Sequence, residues 1–444
     1  MLKIGFIFPS SDYLHDPFRG DPHTHFQILT VLESHFGNKV ELLLIDLRGI
    51  KKEFAIYHIP ECDIYLHSVY TLDYNEQVSI VKNIRECYPK AKHIAGGPHA
   101  TVFQDECLKL FDSLILGDGE ESIIKAINDI MDNDGLKKIY LQDSPIDINA
   151  YPFPRRKYLP ESTIARPGLV SLRRKKGYEK LLSTTVIFSR GCYSKCAFCY
   201  MPQLEKYNLG VRFRYRLPEL IEEEIEYLKR EYSIKAISLL DEIGIPPNSK
   251  KAIPYLEAIG RTDIVWKGQC RSDNTNPETV KLAKDAGCVI MCLGIESVCQ
   301  RSLDIINKKI SMEQTKKAIY LLKKNDIEVR LYMILGLPAE PDDIVEKTWS
   351  FIKETDPDLV YLCLLTVRPG TDMYDNPQKY GFKYVNTDWD NTMHLFSRYK
   401  DEMPTLTFEY CEHTPWGRGH SSDEIIKNYL ELQRRIRENG YGPI

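Results

Sequence analysis

Apolar runs of strand length alternate with stretches of helical periodicity along most of this chain. Lys3 to Pro9, Val40 to Asp46, Ile64 to Ser68, His93 to Gly96 and Ser113 to Leu116 read as strands. Among them His25 to Phe36, Asn75 to Cys87 and Glu121 to Met131 repeat apolar residues at helical spacing. Strands that are apolar throughout, alternating with helices, predict a parallel, doubly wound sheet covered on both faces. Such sheets bind ligands at the C-terminal ends of their strands. Glycines and polar residues gather at those ends here: Ser68, Gly96-Gly97-Pro98-His99-Ala100-Thr101 and Gly117-Asp118-Gly119-Glu120.

From Asp143 to about Leu182 the pattern dissolves. Tyr151-Pro152-Phe153-Pro154, Pro160 and Pro167 prevent regular structure and predict a linker wrapping between domains. A second series then begins. Its strands are Thr185 to Ser189, Ala236 to Leu240, Val265 to Gln269, Val289 to Leu293, Glu328 to Leu335 and Leu359 to Leu365. Pro218 to Glu231, Pro277 to Ala286 and Met312 to Asn325 are the helices between. Six such strands predict a partial (βα)6 barrel, two short of a closed one. A charged helix is expected from Ser422 to Glu438. The α/β chain thus divides into a Rossmann-like domain (1–140), a linker (141–183), a partial barrel (184–371) and a small C-terminal region (372–444).

Composition narrows the function classes. Hydrophobic content of 43% and charged content of 27% are those of a globular protein. A formal net charge of −4 disfavours a nucleic-acid partner. The longest apolar runs, Leu42 to Ile45 and Val289 to Ile295, are far short of a bilayer span, and Met1-Leu2-Lys3-Ile4 leads directly into a strand. A cytoplasmic protein without a membrane partner is expected.

Twelve cysteines are many for such a protein. Nine stand singly, and three cluster in Ser189-Arg190-Gly191-Cys192-Tyr193-Ser194-Lys195-Cys196-Ala197-Phe198-Cys199-Tyr200. One tight cluster in a reducing compartment argues for metal. A zinc site would normally supply a fourth ligand from a paired CxxC or histidines, and none lies near in sequence. Three cysteines on one loop suit an iron–sulfur cluster with one iron left open.

The CxxxCxΦC motif, with Phe198 at the aromatic position, resembles the radical S-adenosylmethionine (SAM) family. The resemblance implies a 4Fe–4S cluster on Cys192, Cys196 and Cys199, with SAM chelated by the open iron and cleaved to a 5′-deoxyadenosyl radical. Later strand ends match the family's SAM-binding elements in order: Asp241-Glu242, Arg271, Gly294-Ile295-Glu296-Ser297, Leu335-Gly336-Leu337-Pro338-Ala339-Glu340 and Arg368-Pro369-Gly370-Thr371. Residues 1–131 resemble the cobalamin-binding domain of one large radical SAM subfamily, through Ser68, Gly96, Gly97, Pro98, His99, Thr101, Gly117, Gly119 and Glu120. The lower-ligand motif DxHxxG of other cobalamin domains is broken: Asp21-Pro22-His23 is followed by Phe26 where glycine belongs. For His23 and His25 this leaves a capping or surface role ahead of cobalt ligation.

A corrinoid over a radical SAM barrel implies methylation of an unactivated carbon by methylcobalamin. The alternative is a cyclase, oxidase or rearrangement enzyme that uses, or has lost, cobalamin. A small-molecule or peptide substrate and an electron donor such as flavodoxin or ferredoxin are the implied partners. Trp389, His394, His413, Trp416 and His420, in the C-terminal region, are expected to close over the barrel mouth.

Overall fold

Six parallel strands form the N-terminal sheet: β1 (Leu2–Phe8), β2 (Val40–Asp46), β3 (Ile64–Ser68), β4 (Lys92–Gly96), β5 (Ser113–Leu116) and β6 (Ile139–Leu141). Their order is β2-β1-β3-β4-β5-β6. The order reverses between β1 and β3, so the loops that leave those strands diverge and open a crevice there. The computed structural model describes residues 1–12, 14, 16–18, 20–389 and 404–443. The helix His23–Phe36 covers one face of the sheet and buries Phe26, Leu29 and Leu32, while Tyr74–Cys87 buries Ile80, Val81 and Ile84.

The second sheet is also parallel. It contains β7 (Ser183–Val186), β10 (Ala236–Leu239), β11 (Val265–Cys270), β12 (Cys288–Glu296), β13 (Glu328–Leu335) and β14 (Leu359–Leu364) in the order β14-β13-β12-β11-β10-β7. The helix Pro218–Tyr232 starts with proline at its first turn and buries Ile221, Ile225 and Leu228, one stripe at helical spacing. Met312–Lys324 begins with a capping box between Ser311 and Gln314.

Two expectations change. The first barrel strand was read as one run, Thr185 to Ser189. It is in fact β7 followed by a separate strand β8 (Ser189–Gly191), which pairs antiparallel with β9 (Phe213–Tyr215). The polypeptide leaves the barrel sheet at Ile187 to build this hairpin, and the hairpin carries the cysteine loop. The other change is β6, an edge strand at the boundary of the linker. Only Tyr140 of its three residues is buried, too little for a legible apolar run.

Residues 152–156 contact both sheets' layers, Gln27 donating to Pro152 O at 3.2 Å and Arg155 N to Thr30 Oγ1 at 2.9 Å. Phe153 joins the barrel core. Fully buried Arg156 donates to Glu224 Oε1 from both Nη atoms at 3.1 Å. Further on, Arg173 N donates to Glu328 Oε2 at 2.7 Å, Lys267 to Leu169 O and Arg330 to Ser171 O, which straps residues 169–173 to the barrel strands β11 and β13.

In the C-terminal region β15 (Phe382–Val385) pairs with β16 (Phe408–Tyr410). Tyr410 Oη donates to Gly336 O at 3.0 Å, and His420 Nε2 is 2.8 Å from Glu340 O, so this region does pack on a barrel strand end. Trp389 reaches the other domain instead, 5.0 Å from Phe103 and 5.6 Å from His99 between ring centres. His413 is exposed, Trp416 is half-buried, and His394 lies outside the described residues. No helix among the described residues is long and apolar enough to cross a membrane.

Candidate functional site

The cysteine loop is fixed at both ends by backbone. Ala197 N donates to Ile306 O at 2.8 Å, and Met373 N to Ala197 O at 3.2 Å. Gly191, just before Cys192, has φ 85°, and a Cβ there would run into the Arg212 carbonyl, so only glycine lets the hairpin turn into the loop. All three cysteines are free. Cys192 and Cys196 both bear electrostatically on Cys199, so the three sulfurs share one locality. Among the described residues no three His, Cys, Asp or Glu side chains converge tightly enough for a single metal ion. Burial pushes Cys199 up to about 12 and raises Cys196 as well. Burial disfavours the thiolate at both positions, and a bound metal would offset that.

Cations flank the thiols. Arg271 Nη1 lies 3.8 Å from Cys196 Sγ, and Lys308 also acts on that sulfur. Arg271 is held by Asp273 through Nε and Nη2, both at 2.9 Å, and by Lys308 O at 2.6 Å. Lys308 Nζ donates to Glu296 Oε1 at 2.6 Å and lies 6.0 Å from the Phe198 ring centre. A Cβ on Gly294 would stand 2.8 Å from Glu296 Oε1, so the strand end and the Glu296–Lys308 pair lie close together. Phe198, Arg271, Gly294 and Glu296 therefore gather at the cysteine loop. Lys308 belongs with them and carried no signal in the sequence.

Asp241 and Glu242 part company, as neighbours beyond a strand end do. Asp241 is buried and its Oδ2 accepts from Phe188 N at 3.0 Å. Burial raises its carboxyl to about 7, and it holds the turn between β7 and β8. Glu242 instead is exposed to a half-open cavity, where desolvation pushes its carboxyl up and Arg368 pulls it back. Among the described residues it makes no hydrogen bond or ion pair.

Gly336 sits at φ 91° in the turn after β13, and its N–H donates to Glu340 Oε2 at 2.9 Å. Burial raises the Glu340 carboxyl to about 8, against the pull of the Gly336 and Leu337 amides. The folded chain keeps this proton at pH values where the unfolded chain has lost it, so stability falls as pH rises from about 4.5 to about 8. Glu340→Gln is expected to lack that decline. Its melting temperature should overtake the wild type by a few degrees at pH 8 relative to pH 5, measured by calorimetry. Parallel curves for the two proteins would contradict this.

The cavity occupies about 460 Å³ between the two sheets, within the range of ligand sites. From the N-terminal sheet it is lined by Ser68, Gly96, Gly97, Pro98, Thr101, Gly117, Gly119 and Glu120; from the barrel side by Ile187 to Gly191, Tyr200, Leu240 and Glu242. Eight of the nine residues read as cobalamin contacts therefore share one wall. His99 does not. On the short helix Pro98–Val102, Pro98 and Thr101 fall on the cavity side, while His99 stacks on Tyr74 at 4.1 Å. The glycines serve the fold as well as close approach: a Cβ on Gly97 (φ 97°) would meet the Val69 backbone at 2.8 Å. His25 is buried, and His23 is half-buried on the cavity wall. His23 Nε2 contacts Thr185 Oγ1 at 2.8 Å, His25 Nε2 contacts Ile7 O at 2.9 Å, and burial lowers both rings to about 4. Asp21 Oδ2 accepts from Thr184 Oγ1 and Thr185 N, both at 2.9 Å, so the broken motif clamps the first βα loop to β7.

A second clamp joins the cavity to the cysteine loop. Arg190, on β8, donates to Asp118 Oδ1 at 3.2 Å and to Glu120 Oε1 at 2.5 Å, and Arg214, its partner on β9, donates to Asp118 Oδ2. Burial alone would raise the Asp118 carboxyl, but the two guanidiniums outweigh it and hold it below the usual range.

Comparison with known proteins gives this geometry a family context. Residues 186–352 match the radical SAM superfamily. An uncharacterised methyltransferase of Pyrococcus horikoshii is 28% identical over 349 residues, 76% of this chain and 73% of that protein. An anaerobic magnesium-protoporphyrin IX monomethyl ester cyclase of Rubrivivax gelatinosus is 25% identical over 391 residues, 84% of this chain and 65% of that protein. Among solved structures, the radical SAM methyltransferase TsrM of Kitasatospora setae, with cobalamin and a 4Fe–4S cluster bound, superposes with a TM-score of 0.63 at 17% identity. The match covers 84% of this chain and 76% of that one, and shows the fold.

Proposed function

We propose that this enzyme, whose residues 186–352 form a radical SAM domain, binds a corrinoid between its two sheets and methylates an unactivated carbon of its substrate. The observation that carries the reading is the single cavity bounded by the glycine loops of the N-terminal sheet on one side and by Ile187 to Gly191, the approach to the cysteine loop, on the other. The lining fits such a group: apolar strand ends, backbone amides at glycine turns and a buried cation. The TsrM structure supports the same placement by fold.

When bound, the cluster with SAM would supply a 5′-deoxyadenosyl radical, and the corrinoid a transferable methyl group. The chain's own residues do the rest. Cys192, Cys196 and Cys199 are the residues that would hold the cluster. Arg271 and Lys308 offset the negative charge that three thiolates bring. Glu242, which makes no hydrogen bond or ion pair among the described residues, would accept from the ammonium of SAM. Gly294, Leu335 and Gly336 shape the strand ends beside it. Arg190 ties the cavity wall to the hairpin that carries the cysteine loop.

A second reading, cyclisation or oxidation without methyl transfer, has support in the likeness to the magnesium-protoporphyrin cyclase. SAM carrying a deuterated methyl group separates the two. Under reductant, with tetrapyrroles and then peptides as trial substrates, methylation predicts 5′-deoxyadenosine, S-adenosylhomocysteine and deuterium in the product. Product formed with 5′-deoxyadenosine but without deuterium would overturn methyl transfer in favour of the second reading.

A further inference from the structure

The charges around the cavity do not all have partners. Arg190 and Arg214 are matched by Asp118 and Glu120. Arg216, the third guanidinium on the wall, is not. It follows β9 and is buried, with 4% of its surface exposed. Its Nη1 donates to Tyr151 O at 2.8 Å, and its Nη2 to Pro152 O at 3.3 Å and Gln27 Oε1 at 3.4 Å. All of these acceptors are neutral. Among the described residues no carboxylate comes within ion-pairing distance.

Glu224 is the acidic group that acts on it most, and Glu224 is already engaged by both Nη atoms of Arg156. Glu120 and Asp147 act on Arg216 more weakly, and none of the three carboxylates pairs with it directly. A buried charge without a counter-charge is costly, and burial does pull this guanidinium below its usual value. A cation kept in that condition on a ligand-cavity wall is explained if the ligand brings the anion. Phe6, Ile28, Ile94, Ile115 and Ile123 line the same cavity and suit an uncharged heterocycle next to that anion.

We infer that Arg216 binds the phosphodiester in the nucleotide loop of the corrinoid. That group is the fixed negative charge on a periphery otherwise made of neutral amides, and a planar guanidinium matches its two free oxygens. The inference rests on the corrinoid reading above and adds a subsite to it.

Three corrinoids isolate the contact: cobalamin, cobinamide phosphate (phosphate without base) and cobinamide (neither). Affinities for the full chain are read from visible absorbance after equilibrium dialysis, with no turnover required. Arg216→Met is expected to weaken cobalamin and cobinamide phosphate by about 10- to 100-fold, the size of a lost charge-assisted contact, and to leave cobinamide unchanged. Arg216→Lys should recover part of the loss. An equal loss for all three corrinoids would overturn the inference, because it marks a residue that merely holds the wall. Unchanged affinity for all three would overturn it too. So would intact corrinoid binding with weakened SAM binding, which would assign the anion to the SAM carboxylate. If the wild type binds none of the three, the corrinoid reading itself fails.

Discussion

Cys196→Ser is expected to yield a folded chain that retains almost no iron after anaerobic reconstitution and forms no 5′-deoxyadenosine above background. Cys196 is the middle ligand of its loop and the most buried of the three, at 7% exposure. Its neighbours are arranged for a thiolate, with Arg271 Nη1 at 3.8 Å and Lys308 acting on the same sulfur. A serine hydroxyl in that place is a poor iron ligand, and two cysteines cannot hold a cluster that already uses the fewest ligands it tolerates. Iron per chain should fall from about four to well under one. The fold should survive, because the loop is fixed by backbone hydrogen bonds at Ala197 and by the hairpin at Gly191 rather than by the thiol. Full iron content in the variant would show that the ligands lie elsewhere.

Arg190→Ala carries the next largest effect. The Arg190 guanidinium spans Asp118 and Glu120, whose side chains are 14% and 2% exposed. Removing it leaves Glu120 buried without its partner, the situation in which a broken ion pair costs about 3–5 kcal/mol. The expected readouts are a matching drop in the denaturant midpoint and weaker retention of corrinoid on desalting. Arg190→Lys should restore the charge but only one of the two contacts, and hence only part of the stability. A loss below about 1 kcal/mol would mean that the clamp does not bear on folding.

The parts of this protein legible in the sequence are those whose meaning is local. Apolar runs cut by glycine and proline marked both sheets, because buried parallel strands are apolar on both faces. The cysteine motif was legible because its three ligands share one loop. What escaped is what depends on phase or on convergence. Asp241 and Glu242 are adjacent letters, yet one faces the Phe188 backbone and the other the cavity. His99 follows Pro98, yet one helical step turns it to Tyr74. The break at Ile187, where the chain leaves β7 for β8, had no signal because Thr185 to Ser189 reads as one apolar run. Arg190, Arg214 and Arg216 flank the cysteine loop with nothing in the sequence to set them apart; only the approach of the two sheets sets two of them against carboxylates and leaves the third without one. Lys308 is a lysine in a basic stretch until Glu296 is seen beside it.

The most direct test of the account is reconstitution of the full chain with iron, sulfide and hydroxocobalamin without oxygen, followed by desalting, an absorbance spectrum and metal counts. The account predicts about four irons and one cobalt per chain, with corrinoid bands that persist through the column. Iron without cobalt would contradict the corrinoid site between the sheets, and absence of iron would contradict the cluster on which the account depends.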